Sequence, residues 1–252
     1  MHLIKSSTIL ALFLLCARWV SMGQSTVQTN GLVLHYPFNG SPQEILGNLP
    51  PPTTANLVAV PDRHGSVGSA YGFDGLNSTI AQPESVLNIG QTDYSISFGF
   101  KTDDVEKEHQ GLINTIPHNG LYVVFNHPPF TGVLSFRVGN GDGWISAHTQ
   151  GTKGNYQAGQ WYHVTITKQG TEYDAYVDGE LDSSIVVPDA TTFDRGSGLR
   201  FGSISDIPNQ SSQFLAGALD DIRVFDRSLS GTDARLLFYT DTGSSSSRQG
   251  DS

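Results

Sequence analysis

The chain has 252 residues, one cysteine and a formal net charge of −10, from 24 acidic and 14 basic residues. This acidic balance argues against binding to nucleic acid or to anionic membrane surfaces, because both carry dense negative charge. It is compatible with cations, with neutral ligands, or simply with solubility. A single cysteine excludes a scaffold held together by internal disulfide bonds.

Residues 1–23 have the three parts of a secretory signal peptide. Lys5 precedes an apolar run, Ile9–Leu15, and the small residues Ser21 and Gly23 stand where cleavage is expected. The apolar run is too short to cross a bilayer, so we predict no membrane span. Cleavage would remove two basic residues and the lone cysteine, which leaves a net charge of about −12. We therefore predict a secreted protein, or a periplasmic or cell-surface protein if the source is bacterial.

The remainder of the chain is long enough for one domain with a sizeable core. We predict a polar lead over residues 24–30, a single domain over residues 31–241, and a tail over residues 242–252. The tail sequence, TGSSSSRQGDS, contains no large apolar residue and is predicted to be disordered.

The domain sequence is dominated by short segments in which apolar and polar residues alternate, the pattern of half-buried strands. The clearest is Tyr94–Lys101, in which Tyr94, Ile96, Phe98 and Phe100 alternate with polar residues or glycine. Leu32–Phe38 is predicted as the first strand, with Leu32, Leu34, Tyr36 and Phe38 on one face. Trp161–Lys168 and Tyr173–Asp178 follow, with a two-residue Asp-Gly hairpin turn after the second. About a dozen such strands, with no internal repeat, predict an all-β fold: a two-sheet antiparallel jelly-roll sandwich.

The carboxy-terminal segment Phe214–Asp241 is predicted to form one strand, a turn and a short closing helix. Ser230 is the expected N-cap, and Asp233, three residues later, is its capping-box partner. The run Leu236–Phe238 supplies the apolar face of the helix.

Asp220 is unusual within that last strand. It has the same parity as Ala218, Ile222 and Val224, so its side chain is expected to face the core. A buried carboxylate is costly unless it is hydrogen-bonded or coordinates a metal. Two interpretations follow: an aspartate held by backbone amides, or a cation ligand.

A candidate ligand-binding surface lies around Trp144. This residue follows a glycine-rich loop that contains Asn140 and Asp142. Tyr122 and Asn126 share a parity on a neighbouring predicted strand and are expected to line the same surface. An exposed aromatic ring with nearby amide and carboxylate groups is typical of a sugar site, although each of these residues also has a purely structural interpretation.

Six segments occur in an order and spacing that resembles a concanavalin A-like, laminin G-like jelly-roll domain of the branch related to pentraxins. The similarity covers roughly Gly31–Tyr239, and it implies that Trp161 belongs to the core. The segments are GLVLHYPFNG, SAYGFDG, YSISFGF, GQWYHVTIT, DAYVDGELD and GALDDIRVFDRSLSGTDARLLF.

The resemblance also implies a structural calcium ion near the joint of the first and last strands. In this sequence the carboxylate would come from Asp220, with further oxygen ligands at or near Asn39 and Asp74. Hard oxygen ligands of this kind suit calcium. Asn39 and Asp74 also have a simpler interpretation as turn residues.

This fold supports lectins, adhesion modules, glycosidases and lyases, so the resemblance does not decide the activity. Glu172 and Asp174 begin a motif like that of laminarinase-type glycosidases, but its third carboxylate is missing. We therefore predict a calcium-stabilised, non-catalytic module that binds a glycan or a glycoprotein. The alternatives are a glycan-degrading hydrolase or lyase, and a structural adhesion module of a larger extracellular assembly.

Overall fold

The computed structural model describes most of the chain from Thr29 to Gly243. The predicted signal peptide and the tail beyond Gly243 lie outside the described residues. The described ranges are 29–47, 49–82, 93–116, 121–139, 144, 146, 149–187, 198–204 and 213–243.

The described residues form short strands throughout and a helix at the carboxy-terminal end, α1 (Gly231–Gly243). The strands, in chain order, are β1 (Leu32–Tyr36), β2 (Thr53–Ala55), β3 (Val58–Val60), β4 (Ala70–Asp74), β5 (Thr79–Gln82), β6 (Tyr94–Thr102), β7 (Gln110–Ile116), β8 (Leu121–His127), β9 (Phe130–Val138), β10 (Thr149–Gln150), β11 (Tyr162–Gln169), β12 (Glu172–Val177), β13 (Glu180–Val186), β14 (Gly198–Phe201) and β15 (Ala216–Phe225).

These strands make two antiparallel sheets. The first sheet has the order β13-β12-β11-β6-β15-β4-β3, and the second has the order β10-β9-β8-β7-β14-β5-β2. Strand β15 pairs with β6 along one side, while its other side pairs first with β4 and then with β1. The predicted all-β, two-sheet antiparallel sandwich of jelly-roll type is confirmed.

The hydrophobic core lies between the sheets, and the predicted alternation accounts for much of it. Tyr94, Ile96, Phe98 and Phe100 of β6 all face inward and are buried, as predicted. Tyr173, Ala175 and Val177 of β12 do the same on a neighbouring strand. The second sheet contributes the odd-numbered residues of β8, namely Leu121, Val123 and Phe125. Burial of these side chains is the main favourable contribution to folding.

Strand parity fails at the amino-terminal end of β1. Leu32 was predicted to share a face with Leu34, but the pairing with β15 shifts register between these two residues. Leu32 instead packs against a small cluster that contains Phe225 and Leu237, on the side of α1. The bulge thus turns the Leu32 side chain away from the main core.

The prediction that Asp220 faces the core is also wrong, because β15 contains a second bulge. The pairing with β6 shifts register between Asp220 and Arg223, and Asp221 adopts a positive φ of 51°. Leu219, rather than Ala218, joins Ile222 in the core. Asp220 pairs with Gly99, whose neighbours on β6 point inward, so Asp220 lies on the outer face of the first sheet.

Helix α1 covers part of that outer face. Its predicted capping box is confirmed: the amide of Asp233 donates to Ser230 Oγ at 3.1 Å, and the amide of Ser230 donates to Asp233 Oδ2 at 3.0 Å. Leu237 is buried beneath the helix. Gly179, in the turn after β12, has a φ of 78°, and a Cβ there would come within 2.8 Å of the Arg235 backbone. The turn and the helix are therefore in direct contact.

Candidate functional site

The aromatic patch, which we define as Tyr122, Arg137 and Trp144, lies on the outer face of the second sheet. Tyr122 of β8 and Arg137 of β9 are direct register partners, so their side chains share that face. Trp144 is joined to Gly139, just after β9, by an isolated β-bridge. Tyr122 and Trp144 were predicted to line one surface, and the structure brings these two residues together.

The three side chains are in mutual contact. The Trp144 and Tyr122 ring centroids are 5.5 Å apart at 70°, an edge-to-face arrangement. Arg137 Cζ lies 4.8 Å from the Trp144 ring centroid, within cation–π range, and Arg137 Nε donates to the Ser146 carbonyl at 3.0 Å. Burial raises the pKa of Tyr122, so its hydroxyl stays protonated. The patch thus offers an aromatic face, a hydroxyl and a fixed positive charge.

A row of polar side chains continues from the patch across the same face. Asn114 of β7 pairs with Tyr122, and Arg200 of β14 pairs with Asn114. Asn114 is fully buried, and its Nδ2 donates to the Ile204 carbonyl at 3.3 Å. Its Oδ1 has no hydrogen-bond partner among the described residues. Asn114, Arg137 and Arg200 could not be predicted from the sequence, because only the register between strands shows that they share a row with Tyr122.

Asn126 was predicted to line the same surface, but its amide belongs to the scaffold. Nδ2 donates to the carbonyls of Val105 and Lys107 at 3.2 and 3.0 Å, and Oδ1 accepts from the Gly132 amide at 2.7 Å. Both N–H groups are therefore used, and the residue is buried with a positive φ of 56°. The other two predicted ligand residues, Asn140 and Asp142, lie outside the described residues.

A second feature, the polar cleft, opens on the outer face of the first sheet beside the bulge of β15. Its volume is about 240 Å³. It lies between β1, the loop before β4 and the carboxy-terminal half of α1. The lining residues are His35, Pro37, Asn39, Asp62, Arg63, His64, Asp220, Asp221, Arg223 and Thr240.

Asp221 is the fully paired carboxylate of this cleft. His35 Nε2 lies 2.7 Å from its Oδ1, Arg223 Nη2 lies 2.7 Å from its Oδ2, and Arg63 Nη2 lies 3.9 Å from Oδ2. Burial by itself raises the pKa of Asp221, but Arg223, the hydrogen bond from His35 and the charge of Arg63 together lower it. Asp221 is therefore ionised and held on both oxygens.

Asp220 is in the opposite situation, although it is the next residue in the chain. Its side chain is only 6% exposed, and Oδ1 has no hydrogen-bond partner among the described residues. Burial, followed by the charge of Asp221, raises the pKa of Asp220 to about 8, although the charge of Arg63 acts in the other direction. The carboxyl is thus mostly protonated at neutral pH.

The three predicted calcium ligands do not come together. Asn39 lines the cleft with Asp220, but Asp74 pairs with Ala216, four residues away along β15 and so about 13 Å from Asp220. Asp74 Oδ1 accepts amide hydrogens from Leu76 at 2.8 Å and from the next two residues, which is the role of a turn residue. Among the described residues, no group of three or more histidine, cysteine or acidic side chains is placed to hold a metal. This donor set does not fit a calcium shell, and calcium stays a prediction.

An aromatic pocket of about 280 Å³ adjoins the polar cleft, and the two share Arg63 and His64. Its other lining residues are Trp161, Tyr162, His163 and Phe238. Trp161 was expected in the core, but it lies at the start of β11 on the outer side, partly exposed and 5.8 Å from Lys101 Nζ. The error came from assigning Trp161 the role that its position has in similar sequences.

His163 forms the inner wall of that pocket. Its Nε2 lies 2.9 Å from Ser97 Oγ, and its ring centroid lies 6.3 Å from that of Phe238. Burial, with the charges of Arg63 and Arg223, lowers the pKa of His163 to about 3. The imidazole is therefore neutral at physiological pH and serves as a polar, uncharged surface.

The incomplete glycosidase motif lies elsewhere on the first sheet. Glu172 and Asp174 alternate with the inward-facing residues of β12, so they point outward, and the Tyr176 hydroxyl donates to Asp174 Oδ2 at 3.3 Å. Retaining glycosidases place two carboxyl groups on either side of the bond that they cleave, in a cleft. Neither residue of this pair lines the polar cleft described above.

The fold and these sites can now be compared with known proteins. The family model for the concanavalin A-like lectin/glucanases superfamily matches residues 74–235, well over half of the chain. The chain belongs to this superfamily. The match agrees with the sandwich seen here and with the similarity of the six sequence segments. No curated protein sequence matches the chain.

Several solved structures share the fold of this superfamily member. Domain 4 of AbnA, a GH43 extracellular arabinanase from Geobacillus stearothermophilus solved with arabinotriose, superposes with a TM-score of 0.64 at 19% identity, over 82% of this chain and 97% of that domain. The binding domain of botulinum neurotoxin DC in complex with rat synaptotagmin II gives 0.62 at 15% identity, over 84% of this chain and 52% of that chain. The botulinum neurotoxin serotype G binding domain gives 0.62 at 15% identity, over 84% and 51%. This chain thus spans about half the length of the neurotoxin domains.

In the part of the chain that the structure describes, we find no helix with the length and apolar character needed to traverse a bilayer.

Proposed function

We propose that this protein is a secreted, non-catalytic carbohydrate-binding module, and that the aromatic patch contacts the glycan. One observation carries the proposal: Tyr122, Arg137 and Trp144 form a contiguous aromatic and cationic surface on one sheet face. The C–H face of a sugar packs on an aromatic ring, while hydroxyl and guanidinium groups hydrogen-bond to its oxygens. Asn114 is next in the row but is fully buried, so it supports the patch from beneath and is not part of the contact surface.

The structural neighbours support this class of ligand. Domain 4 of the arabinanase was solved with arabinotriose, and the neurotoxin DC binding domain was solved with rat synaptotagmin II. The signal-peptide pattern of residues 1–23 supports secretion. A glycan or glycoprotein partner is consistent with both lines of support.

The test is a glycan array that includes arabinotriose, probed with the wild type and the Trp144→Ala and Arg137→Ala variants. We expect Trp144→Ala to weaken glycan binding about tenfold or more, equivalent to ~1.4 kcal/mol, because the stacking surface is removed. Arg137→Ala should weaken it to a smaller extent. Tyr239→Ala, which removes an aromatic ring that is 55% exposed on α1, is the matched control and should bind as the wild type does.

Two outcomes would contradict the proposal. Binding that Trp144→Ala and Tyr239→Ala reduce equally would place the glycan elsewhere. Release of reducing ends from arabinan or another polysaccharide by the wild type would establish a hydrolase, and loss of that activity in Glu172→Gln or Asp174→Asn would locate it on β12. If no glycan on the array binds the wild type but an extracellular protein does, the structural adhesion module is favoured.

A further inference from the structure

The polar cleft contains a buried carboxyl group with an open oxygen. Asp220 is 94% removed from solvent, yet its Oδ1 has no hydrogen-bond partner among the described residues. A buried polar atom without a partner costs roughly 1–3 kcal/mol. In most folded proteins such an atom is satisfied, so an unpartnered one that lines a cleft indicates a position where a ligand group or a water supplies the missing bond.

The backbone is distorted to place this group. The bulge in β15 turns Asp220 and Asp221 toward the same outer face, and Asp221 holds a positive φ without being glycine. That conformation costs roughly 1–2 kcal/mol in an ordinary residue. Bulges of this kind often redirect a side chain at a functional site. The pairing of β15 with β6 is therefore irregular at the point where two consecutive carboxyl groups line the cleft.

The charged neighbours of Asp220 are held rigidly. The Arg63 and Arg223 side chains are only 10% and 9% exposed, and both guanidinium groups lie near Asp221. These arginines line the cleft together with Asp62, Asp220 and Asp221, so both signs of charge face its interior. A lining with many hydrogen-bonding groups suits a small ligand with several hydroxyl groups.

The adjoining aromatic pocket provides the apolar half of such a site. Trp161 and Phe238 line it, and neutral His163 adds a further ring. The volumes of about 240 and 280 Å³ lie below the ~300–1,000 Å³ typical of sites for drug-sized ligands. The two cavities thus combine a polar wall with an aromatic wall, at volumes suited to a small ligand.

We propose that the polar cleft and the aromatic pocket form a second binding site, for a neutral sugar residue or a polyol of similar size, with Asp220 and Trp161 as its central contacts. This site lies on the first sheet, on the opposite face of the sandwich from the aromatic patch. It does not depend on glycan binding at Trp144.

The experiment is saturation-transfer NMR with arabinose, galactose, glucose and glycerol as probes, on the wild type, Trp144→Ala, Trp144→Ala/Asp220→Ala and Trp144→Ala/Trp161→Ala. At least one of these four probes should still bind to Trp144→Ala and should lose its signal in both double variants. Trp144→Ala/Glu108→Ala removes an exposed carboxylate that lines neither cavity, and we expect it to keep the signal. Because Asp220→Ala removes an unpartnered buried group, we expect the fold to persist, and thermal melting of each variant checks this.

Three results would overturn the second site. The first is that Trp144→Ala binds none of the four probes at 10 mM, and the second is that a signal persists unchanged in both double variants. Competition of the signal by methylammonium or calcium chloride, but not by a second polyol, would show a cation site instead. If glycan binding at the aromatic patch is wrong but the second site is real, the wild type and Trp144→Ala will bind the probes equally. That result differs from the three results that overturn the second site.

Discussion

Asp220 and Asp221 are neighbours with identical side chains, but their environments shift the pKa values of their carboxyl groups in opposite directions. Asp221 is paired on both oxygens and is ionised, while Asp220 has an open oxygen and a pKa of about 8. The difference comes from which cations the bulge brings within reach of each carboxylate. Paired carboxyl groups whose pKa values diverge in this way are more often found at functional sites than in simple surface ion pairs.

The raised pKa of Asp220 predicts a stability that falls as pH rises. The folded protein keeps the proton up to about pH 8, whereas an unfolded aspartate releases it near its ordinary pKa of 3.8. Between these values the folded state binds more protons, so the Asp220 contribution to the free energy of unfolding decreases by about 1.4 kcal/mol per pH unit. Asp220→Asn, which does not titrate, should lack this decrease and exceed the wild type in stability at pH 7.

Urea unfolding at pH 5, 6, 7 and 8 measures the difference between wild type and Asp220→Asn. The difference isolates Asp220 from the other charged and titratable groups that face the cleft: His35, Asp62, Arg63, His64, Asp221 and Arg223. Asp103→Asn, at an exposed position, should follow the wild type at every pH. Parallel curves for wild type and Asp220→Asn would show that the carboxyl group titrates normally in the folded protein.

Only part of the candidate site could be predicted from single residues. Trp144 and Tyr122 were predicted together, because an aromatic residue after a glycine-rich loop and a strand residue of outward parity are both visible in the sequence. Arg137 and Asn114 could not be added, because their contact with Tyr122 depends on register across strands. Asn126 was misjudged since its hydrogen bonds go to backbone groups of a distant loop.

Among the strands, the alternation of apolar and polar residues predicted the inward face correctly where pairing with the neighbouring strand is regular. The alternation in β6 and β12 gave the correct inward face, and the capping box gave the start of α1. The two errors of parity, at Leu32 and Asp220, both occur at bulges. Asp221 takes its positive φ without a glycine, so the local sequence carries no signal that the strand shifts there.

The capping box at the start of α1 is expected to stabilise the whole domain. Ser230→Ala should lower the free energy of unfolding by about 1 kcal/mol, because the Asp233 amide loses its acceptor. Thr232→Ala is the control, because Thr232 is exposed and lies two residues after Ser230 in the same turn. It should change the free energy of unfolding by less than about 0.5 kcal/mol. Equal midpoints for the two variants in urea would show that the first turn of α1 contributes nothing to global stability.

For the whole molecule, the two-sheet sandwich could be predicted from strand count, turn residues and the absence of repeats, and the superfamily match agrees. The order of strands within each sheet could not, since it depends on long-range pairing. A bound calcium ion would stabilise the entire folded domain by mass action, because it would bind the folded state and not the unfolded chain. Calcium requires six to eight oxygens, and no group of three or more histidine, cysteine or acidic side chains among the described residues is placed to hold a metal.

We therefore expect the wild type and Asp220→Asn to show the same change in melting temperature, within error, when millimolar calcium replaces a chelator. Differential scanning calorimetry at pH 7 makes this measurement. A rise in the wild type that Asp220→Asn abolishes would restore Asp220 as a calcium ligand. A rise of equal size in both proteins would place an ion elsewhere in the molecule.

The position of β15 has a consequence for how the protein is made. This strand pairs with β6, β4 and β1, although His35 of β1 and its partner Asp221 are 186 residues apart in sequence. A nascent chain leaving the ribosome therefore exposes the unpaired edges of three strands until residue 225 has emerged. Such long-range closure is slow, and strands that wait without partners are prone to associate between molecules. Among the described strands, β15 comes last in the chain, and its pairing joins β1 and β4 to β6.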